Sequence, residues 1–379
     1  MKTRICIEAS PLISPRAGLS RYAHNLIQAL LRIHRDGDYA LSYNRAPTAS
    51  LSHAFRHLPS YTSNLHDKTW RARNAITYFS GPSMDEFYDG VSLFHSTAHL
   101  LPKLNTIPTV LTLHDLIPLL LPRYHKPLNR LFFRLMLPKF LKHADEIIAV
   151  SHTTKRDAIA LLGLPPDHIT VIPEGVTDDF RPITDENTLA YIRNSYGLPR
   201  SYILCVSTIE PRKNHITLLR AFERIADHHT ELALVLAGAT GWLYDDFMVA
   251  LSNSPVRHRV RLLGKVPDRD LPALLSAATI FAFPSHYEGF GLPPLEAMAC
   301  STPVICSSAP SLTEVVGDAA IICPTTDINA WSDQLSHLLE TPAKRELLAA
   351  AGKTQASNFS WDSAALLTRT VYERAITSQ

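Results

Sequence analysis

Two carboxylates eight positions apart, Glu288 and Glu296, bracket the run Gly289-Phe290-Gly291-Leu292-Pro293-Pro294-Leu295. Such acids can accept hydrogen bonds from hydroxyl groups at the two ends of one ligand. Glycines at 289 and 291 permit a tight turn and close backbone approach. Prolines at 293 and 294 suit a first helical turn, where a missing N–H costs nothing. A helix opening there aims backbone N–H groups and a positive dipole end outward, a seat for a diphosphate. A nucleotide sugar has the matching layout, with a diphosphate between a hydroxyl-rich hexose and a hydroxyl-rich ribose. One acid would take the hexose hydroxyls and the other the ribose diol.

These residues must be positioned by something. Short apolar runs alternate with helical patterns along the chain, which argues for parallel sheets with crossover helices. A first set of strands is expected at 4–8, 93–96, 109–113 and 146–150, with helices near 19–34 and 152–162. A second set is expected at 202–206, 233–237, 261–263, 280–283, 304–306 and 320–323. Between them the polar, proline-punctuated stretch 172–185 reads as a linker. The 379 residues suit two domains of ordinary size. The expectation is α/β with two doubly wound, Rossmann-like domains facing a deep cleft: 1–178, 179–358, and a C-terminal helix in 359–379 packing back on the first. Ligands of such sheets lie beyond the carboxyl ends of the strands, and each motif discussed follows a strand end.

Composition narrows the function classes. A hydrophobic fraction of 46% and a charged fraction of 19% are those of a globular protein. The net charge of +2 supplies no basic field for nucleic acid. Met1-Lys2-Thr3-Arg4 leads into an apolar run too short for a signal peptide, and no uncharged apolar stretch reaches the roughly 18 residues of a membrane span. The five cysteines are scattered without C-x-x-C pairing and read as reduced core thiols of a cytoplasmic protein. Asp268-Arg269-Asp270 has the D-x-D form of metal-using transferases, but it precedes an apolar helix expected at 271–277. Asp268 or Asp270 therefore reads as an N-cap. No His/Cys/Asp cluster has metal-ligand spacing, so neither metal nor cofactor is expected.

The run Glu288–Glu296, with its Glu-x7-Glu spacing and glycine turn, resembles the retaining GT-B glycosyltransferases of family 4. The resemblance continues in Ser207-Thr208-Ile209-Glu210-Pro211-Arg212-Lys213-Asn214, in Leu263-Gly264-Lys265-Val266-Pro267, in His114-Asp115-Leu116 and in Gly18-Leu19-Ser20-Arg21-Tyr22. It covers nearly the whole chain and is strongest in the second half. It implies that Arg212 and Lys213 neutralise the departing diphosphate, an electrostatic stabilisation of developing charge. The family's usual Arg, five positions before the Lys, is here Thr208. Arg212 is expected to supply the missing charge, and the Thr208 hydroxyl one hydrogen bond. By the same resemblance Gly18 meets the diphosphate through its backbone, and His114 approaches the donor hexose and its reaction centre. Lys265 and Val266 belong to the turn that meets the base. The backbone of Gly289, Phe290, Gly291 and Leu292 lines the phosphates, with Glu288 on the hexose and Glu296 on the ribose.

The implied activity is retaining transfer of a hexose onto a glycan or polyprenyl-diphosphate-linked glycan. The segment Thr-Ile-Glu-Pro-Arg-Lys-Asn is similar to bacterial mannosyltransferases of polysaccharide and lipopolysaccharide assembly, which favours GDP-mannose over a UDP-sugar. A GT-B-shaped epimerase and a non-catalytic nucleotide-sugar-binding protein are the competing readings. Between 123 and 142 there are six Lys or Arg and no acid. There Leu128, Leu131, Phe132, Leu135 and Phe140 alternate with Arg130, Arg134, Lys139 and Lys142, as in a helix lying on an anionic lipid surface. Pro138 is expected to interrupt it. Peripheral contact with the inner face of the plasma membrane through 123–142 is the expectation.

Overall fold

The computed structural model describes residues 3–13, 17–34, 37–44, 51 and 53–378; Met1 and Lys2 of the amino-terminal reading lie outside them. The chain divides into two compact units, Met1–Gly175 with Ser360–Gln379, and Val176–Phe359. The chain therefore passes between units after 175 and after 359, against the 178 and 358 read from sequence.

The first unit is built on strands β1 (Arg4–Glu8), β2 (Asp38–Asn44), β3 (Ser60–Ser63), β4 (Leu93–Ser96), β5 (Thr109–Leu113), β6 (Glu146–Ala149) and β7 (Ile169–Val171). They form one parallel sheet in the order β3-β2-β1-β4-β5-β6-β7. The central strands β4, β5 and β6 are buried along their whole length, as strands covered on both faces must be. The helix Ala17–Ile33 buries Tyr22, Ala23, Leu26, Ile27 and Leu30, the i, i+3, i+4 stripe of a helix against a sheet. The carboxyl-terminal helix Trp361–Thr377 belongs to this unit. A buried polar chain ties it in: Tyr372 Oη meets His95 Nδ1 at 2.6 Å, and His95 Nε2 meets Thr112 Oγ1 at 2.8 Å.

The helix Pro127–His143 differs from its sequence reading in two ways. It runs unbroken through Pro138, and Phe140 is core, buried with Met136, Leu137 and Leu141. Leu128, Leu131 and Leu135 form the outward stripe, with exposures of 82%, 55% and 52%. Beside it, Lys139 Nζ stands 4.6 Å from the ring centre of Phe79, and the Arg71 guanidinium 4.6 Å from that of Phe132.

The second unit holds β8 (Ser201–Val206), β9 (Leu232–Ala237), β10 (Val260–Gly264), β11 (Ile280–Phe283), β12 (Val304–Ser307) and β13 (Ile321–Cys323). The sheet is parallel, in the order β10-β9-β8-β11-β12-β13. The order reverses direction between β8 and β11, and the loops leaving those two strands open the crevice where such sheets bind ligands.

Candidate functional site in the second unit

The loops after β8 and β11 are stitched together by backbone and side-chain hydrogen bonds. The β8 loop ends in a 3-10 turn, Pro211–Lys213, and Asn214 follows with φ +55°. Asn214 Nδ2 donates to Pro284 O (3.1 Å) and Thr325 O (2.8 Å), and His286 N donates to Arg212 O (2.8 Å). Gly238, at the exit of β9, lies against this loop. A Cβ there would stand 1.9 Å from Ser207 O, so only glycine fits.

This stitching brings Arg212 and Lys213 onto Glu288. Lys213 Nζ is 2.6 Å from Glu288 Oε1, and Arg212 Nη1 is 2.7 Å from Glu288 Oε2. Ser285 Oγ donates to Glu288 Oε1 at 2.6 Å. On its other side Arg212 Nη2 is 2.7 Å from Glu210 Oε1, and its Nη1 also donates to Tyr287 O at 2.8 Å. Side-chain exposures are 15% for Arg212 and 13% for Lys213 and Glu288, so these cations are not surface residues. Burial pushes the Glu288 carboxyl up, but Arg212, Lys213 and the bonds from Lys213 and Ser285 outweigh it and hold it near about 2. Burial and the neighbouring Arg212 pull Lys213 below the ordinary lysine value, against the opposing pull of Glu288 and Glu210.

Beyond Glu288 the chain turns at Gly291, whose φ of +147° favours glycine and where a Cβ would meet Leu312 Cδ2 at 2.9 Å. The helix Leu292–Ala299 follows. Pro293 and Pro294 carry no N–H, so the helix start offers donors from Gly291 and Leu292 rather than from a full first turn. Phe290 and Leu292 turn their side chains inward, and Phe290 packs edge-on against Phe359 at 5.8 Å; Gly289 is buried as well. Ser311 Oγ, donating to Glu288 O at 2.6 Å, fixes the turn from β12's following helix, Pro310–Val316. Glu296 lies in the middle of Leu292–Ala299 and is 4% exposed. Thr208 is half-buried, two residues past the end of β8.

Gly264 closes β10 with φ +65°. After it Lys265 is exposed and Val266 buried. Asp268–Asp270 form a 3-10 turn ahead of the helix Leu271–Ser276. Asp270 occupies the N-cap position read from sequence, but its side chain makes no cap bond there and instead accepts from Tyr196 Oη at 2.7 Å. Among the described residues no group of three or more His, Cys, Asp or Glu side chains is arranged to hold a metal ion.

Gly18 and His114 lie in the first unit. Gly18 is exposed and sits in the first turn of Ala17–Ile33, not in a loop before it. Among the described residues nothing stands within 4 Å of where its Cβ would be. His114 follows β5 and is 8% exposed. Its Nε2 meets Thr97 O at 2.9 Å, its Nδ1 lies 3.4 Å from Glu174 Oε1, and Tyr22 packs edge-on at 4.6 Å. Both ring nitrogens therefore have protein partners.

Sequence reasoning assigned no role to Glu210, Ser285, Ser311 or Glu174. Glu210 lies inside the quoted Thr-Ile-Glu-Pro-Arg-Lys-Asn run, so an acid two residues before the Arg was the available signal.

Residues 192–355 match the family Glycosyl transferases group 1, and residues 16–180 match Glycosyltransferase Family 4. O-antigen chain mannosyltransferase B of Escherichia coli is 36% identical over 266 residues, 70% of each chain. Serotype-specific mannosyltransferase WbdA of Escherichia coli is 32% identical over 276 residues, 71% of this chain but only 34% of that protein. Among solved structures, Anabaena Alr3699/HepE in complex with UDP-glucose superposes with a TM-score of 0.74 at 17% identity, over 98% of this chain and 99% of that one. The chain has the GT-B fold and belongs to the group 1, family 4 glycosyltransferases.

Proposed function

We propose that this glycosyltransferase moves mannose from GDP-mannose, with retention of configuration, onto a glycan or lipid-linked glycan acceptor. The observation that carries the reading is the half-buried cluster of Arg212, Lys213 and Glu288 shortly before the helix start at Leu292, at the switch point of the sheet. The diphosphate would lie on the two cations and the Gly291 and Leu292 N–H groups. Glu288 would face the hexose hydroxyls, and Glu296 the ribose. As the glycosidic oxygen departs, its developing charge falls on groups already in place. The leaving oxygen would accept the acceptor's proton on the face it vacates, so no protein nucleophile is needed, and no metal is invoked. The names of the two Escherichia coli relatives support mannose; the UDP-glucose complex of HepE supports a UDP-sugar as the second reading. A thermal-shift panel of GDP-, UDP- and ADP-sugars decides between them, because binding stabilises the folded state. Turnover of the stabilising donor, with and without acceptor and in excess chelator, then tests the reaction. Donor breakdown that ignores every glycan acceptor, or that stops until magnesium returns, would refute this mechanism.

The acceptor reading is supported by the outward stripe of Leu128, Leu131 and Leu135, set among Arg130, Arg134, Lys139 and Lys142. Leucines ringed by cations fit an anionic bilayer, where a lipid-linked glycan would be met. No helix of the described residues is long and apolar enough to cross a membrane. Co-sedimentation with anionic vesicles at low salt should be strong for the wild type and weak when the four cations become Gln. Equal sedimentation of the two proteins would remove this surface from the proposal.

A further inference from the structure

The Arg212 guanidinium is shared between two carboxylates, not one. Glu288 takes Nη1 at 2.7 Å, and Glu210 takes Nη2 at 2.7 Å. Glu210 is the more enclosed of the two: its side chain is 3% exposed, against 13% for Glu288. It leads into the Pro211–Lys213 turn, so the turn itself fixes the distance between the acid and Arg212. With Lys213 on Glu288, the cluster holds two cations and two anions and carries no net charge. That balance is unexpected for a diphosphate seat, since a cationic pair alone would hold a product with two to three negative charges tightly.

We propose that Glu210 is a positioning residue with a second effect: it aims Arg212 at the diphosphate and, by neutralising half of the cationic pair, keeps the nucleoside diphosphate product releasable. The inference rests on the donor-site reading given above. Glu288 cannot do both jobs, because it is the acid offered to the hexose. Glu210, closed off from solvent, has Arg212 as its one charged partner at hydrogen-bond distance among the described residues. Thr208 sharpens the need. With no arginine at that position, the whole guanidinium contribution comes from Arg212, and its direction depends on the carboxylate behind it.

The sign of the expected effect separates this role from a merely structural one. Glu210→Gln keeps the shape and an acceptor for the guanidinium but leaves the cluster with one net positive charge. Nucleoside diphosphate should then bind tighter, by about three- to ten-fold at low ionic strength, with the gain shrinking as salt screens it. Titration calorimetry with GDP and with UDP at 50 and 500 mM NaCl reads this directly. In steady state the donor KM and kcat should fall together, as tighter product binding slows release. Glu210→Asp keeps the charge on a shorter arm, so its affinity should match the wild type while kcat drops. Glu210→Ala serves as the second charge-removing variant should Glu210→Gln fail to fold, and thermal melts establish which variants fold. Unchanged or weaker binding by the folded charge-removing variant overturns the inference, whereas a wild type that binds neither GDP nor UDP overturns the donor-site reading instead.

Discussion

Replacing Glu288 by Gln tests the second-unit site most directly, because that carboxylate is at once a structural counter-ion and the proposed hexose contact. It neutralises Arg212 at 2.7 Å and Lys213 at 2.6 Å, both largely shielded from solvent. Removing one partner of a buried ion pair costs about 3–5 kcal/mol, and the retained amide oxygen places Gln at the lower end, ~3 kcal/mol. A domain of 150–250 residues converts each kcal/mol into roughly 2–4 °C, so the melting of the second unit should fall by roughly 6–12 °C. Nucleoside diphosphate supplies the missing negative charge to those cations. Saturating GDP or UDP should therefore raise the variant's melting temperature more than the wild type's. Turnover behaves differently. A hydrogen bond to a charged group contributes about 1.5–3 kcal/mol, so kcat/KM should drop by ~10- to 100-fold even when ligand has restored stability. The assays are differential scanning fluorimetry with and without diphosphate, and steady-state transfer over a range of donor concentrations. A variant that melts with the wild type would show that the ion pairs contribute nothing to the fold. One that melts low but turns over normally would remove Glu288 from the hexose.

On the proposed donor site, Lys213→Ala should raise donor KM and lower kcat, each by about ten-fold or more, since the ammonium would meet the diphosphate in both ground and transition states; wild-type constants would make it a purely structural partner of Glu288. Acid should destabilise the protein through two buried histidines, His95 and His215, whose pKa values burial pushes down to about 3. For a depressed pKa the unfolded state binds the proton first. Stability is therefore complete above about pH 6.5 and falls as pH drops towards 3, by ~1.4 kcal/mol per pH unit for each ring. Urea midpoints at pH 7.5, 6.5 and 5.0 should decline below 6.5, and His95→Gln should flatten that decline; a flat wild-type profile would show that neither ring stays neutral in the fold.

How far the sequence could be read follows from how local each feature is. Strands such as 280–283 and 109–113 announced themselves as apolar runs because both faces are covered. β3 reads Ser-Tyr-Thr-Ser at a sheet edge, and β7 spans three residues, so neither offers a period to detect. The helix Pro127–His143 shows the same limit in another form. It carries two apolar stripes, one through Met136 and Phe140 and one through Leu128, Leu131 and Leu135, and spacing alone cannot say which meets a sheet. Asp270 stood where an N-cap is expected, and the competing donor, Tyr196, is 74 residues away.

The site divides along the same line. Glu288, the glycine turn and Glu296 could be picked out because the proposed site is written there in one continuous strand–turn–helix. The ion pair between Lys213 and Glu288 spans 75 residues and exists because β8 and β11 are neighbours at the reversal of strand order. No spacing rule contains that fact. A basic pair in the sequence suggests a positive seat, but the folded pair is neutralised by Glu288 in front and Glu210 behind. The charge of the proposed diphosphate seat is thus a property of the sheet topology, and of which carboxylates that topology delivers. Had the reversal fallen one strand further along, the same residues would remain and this balance would not.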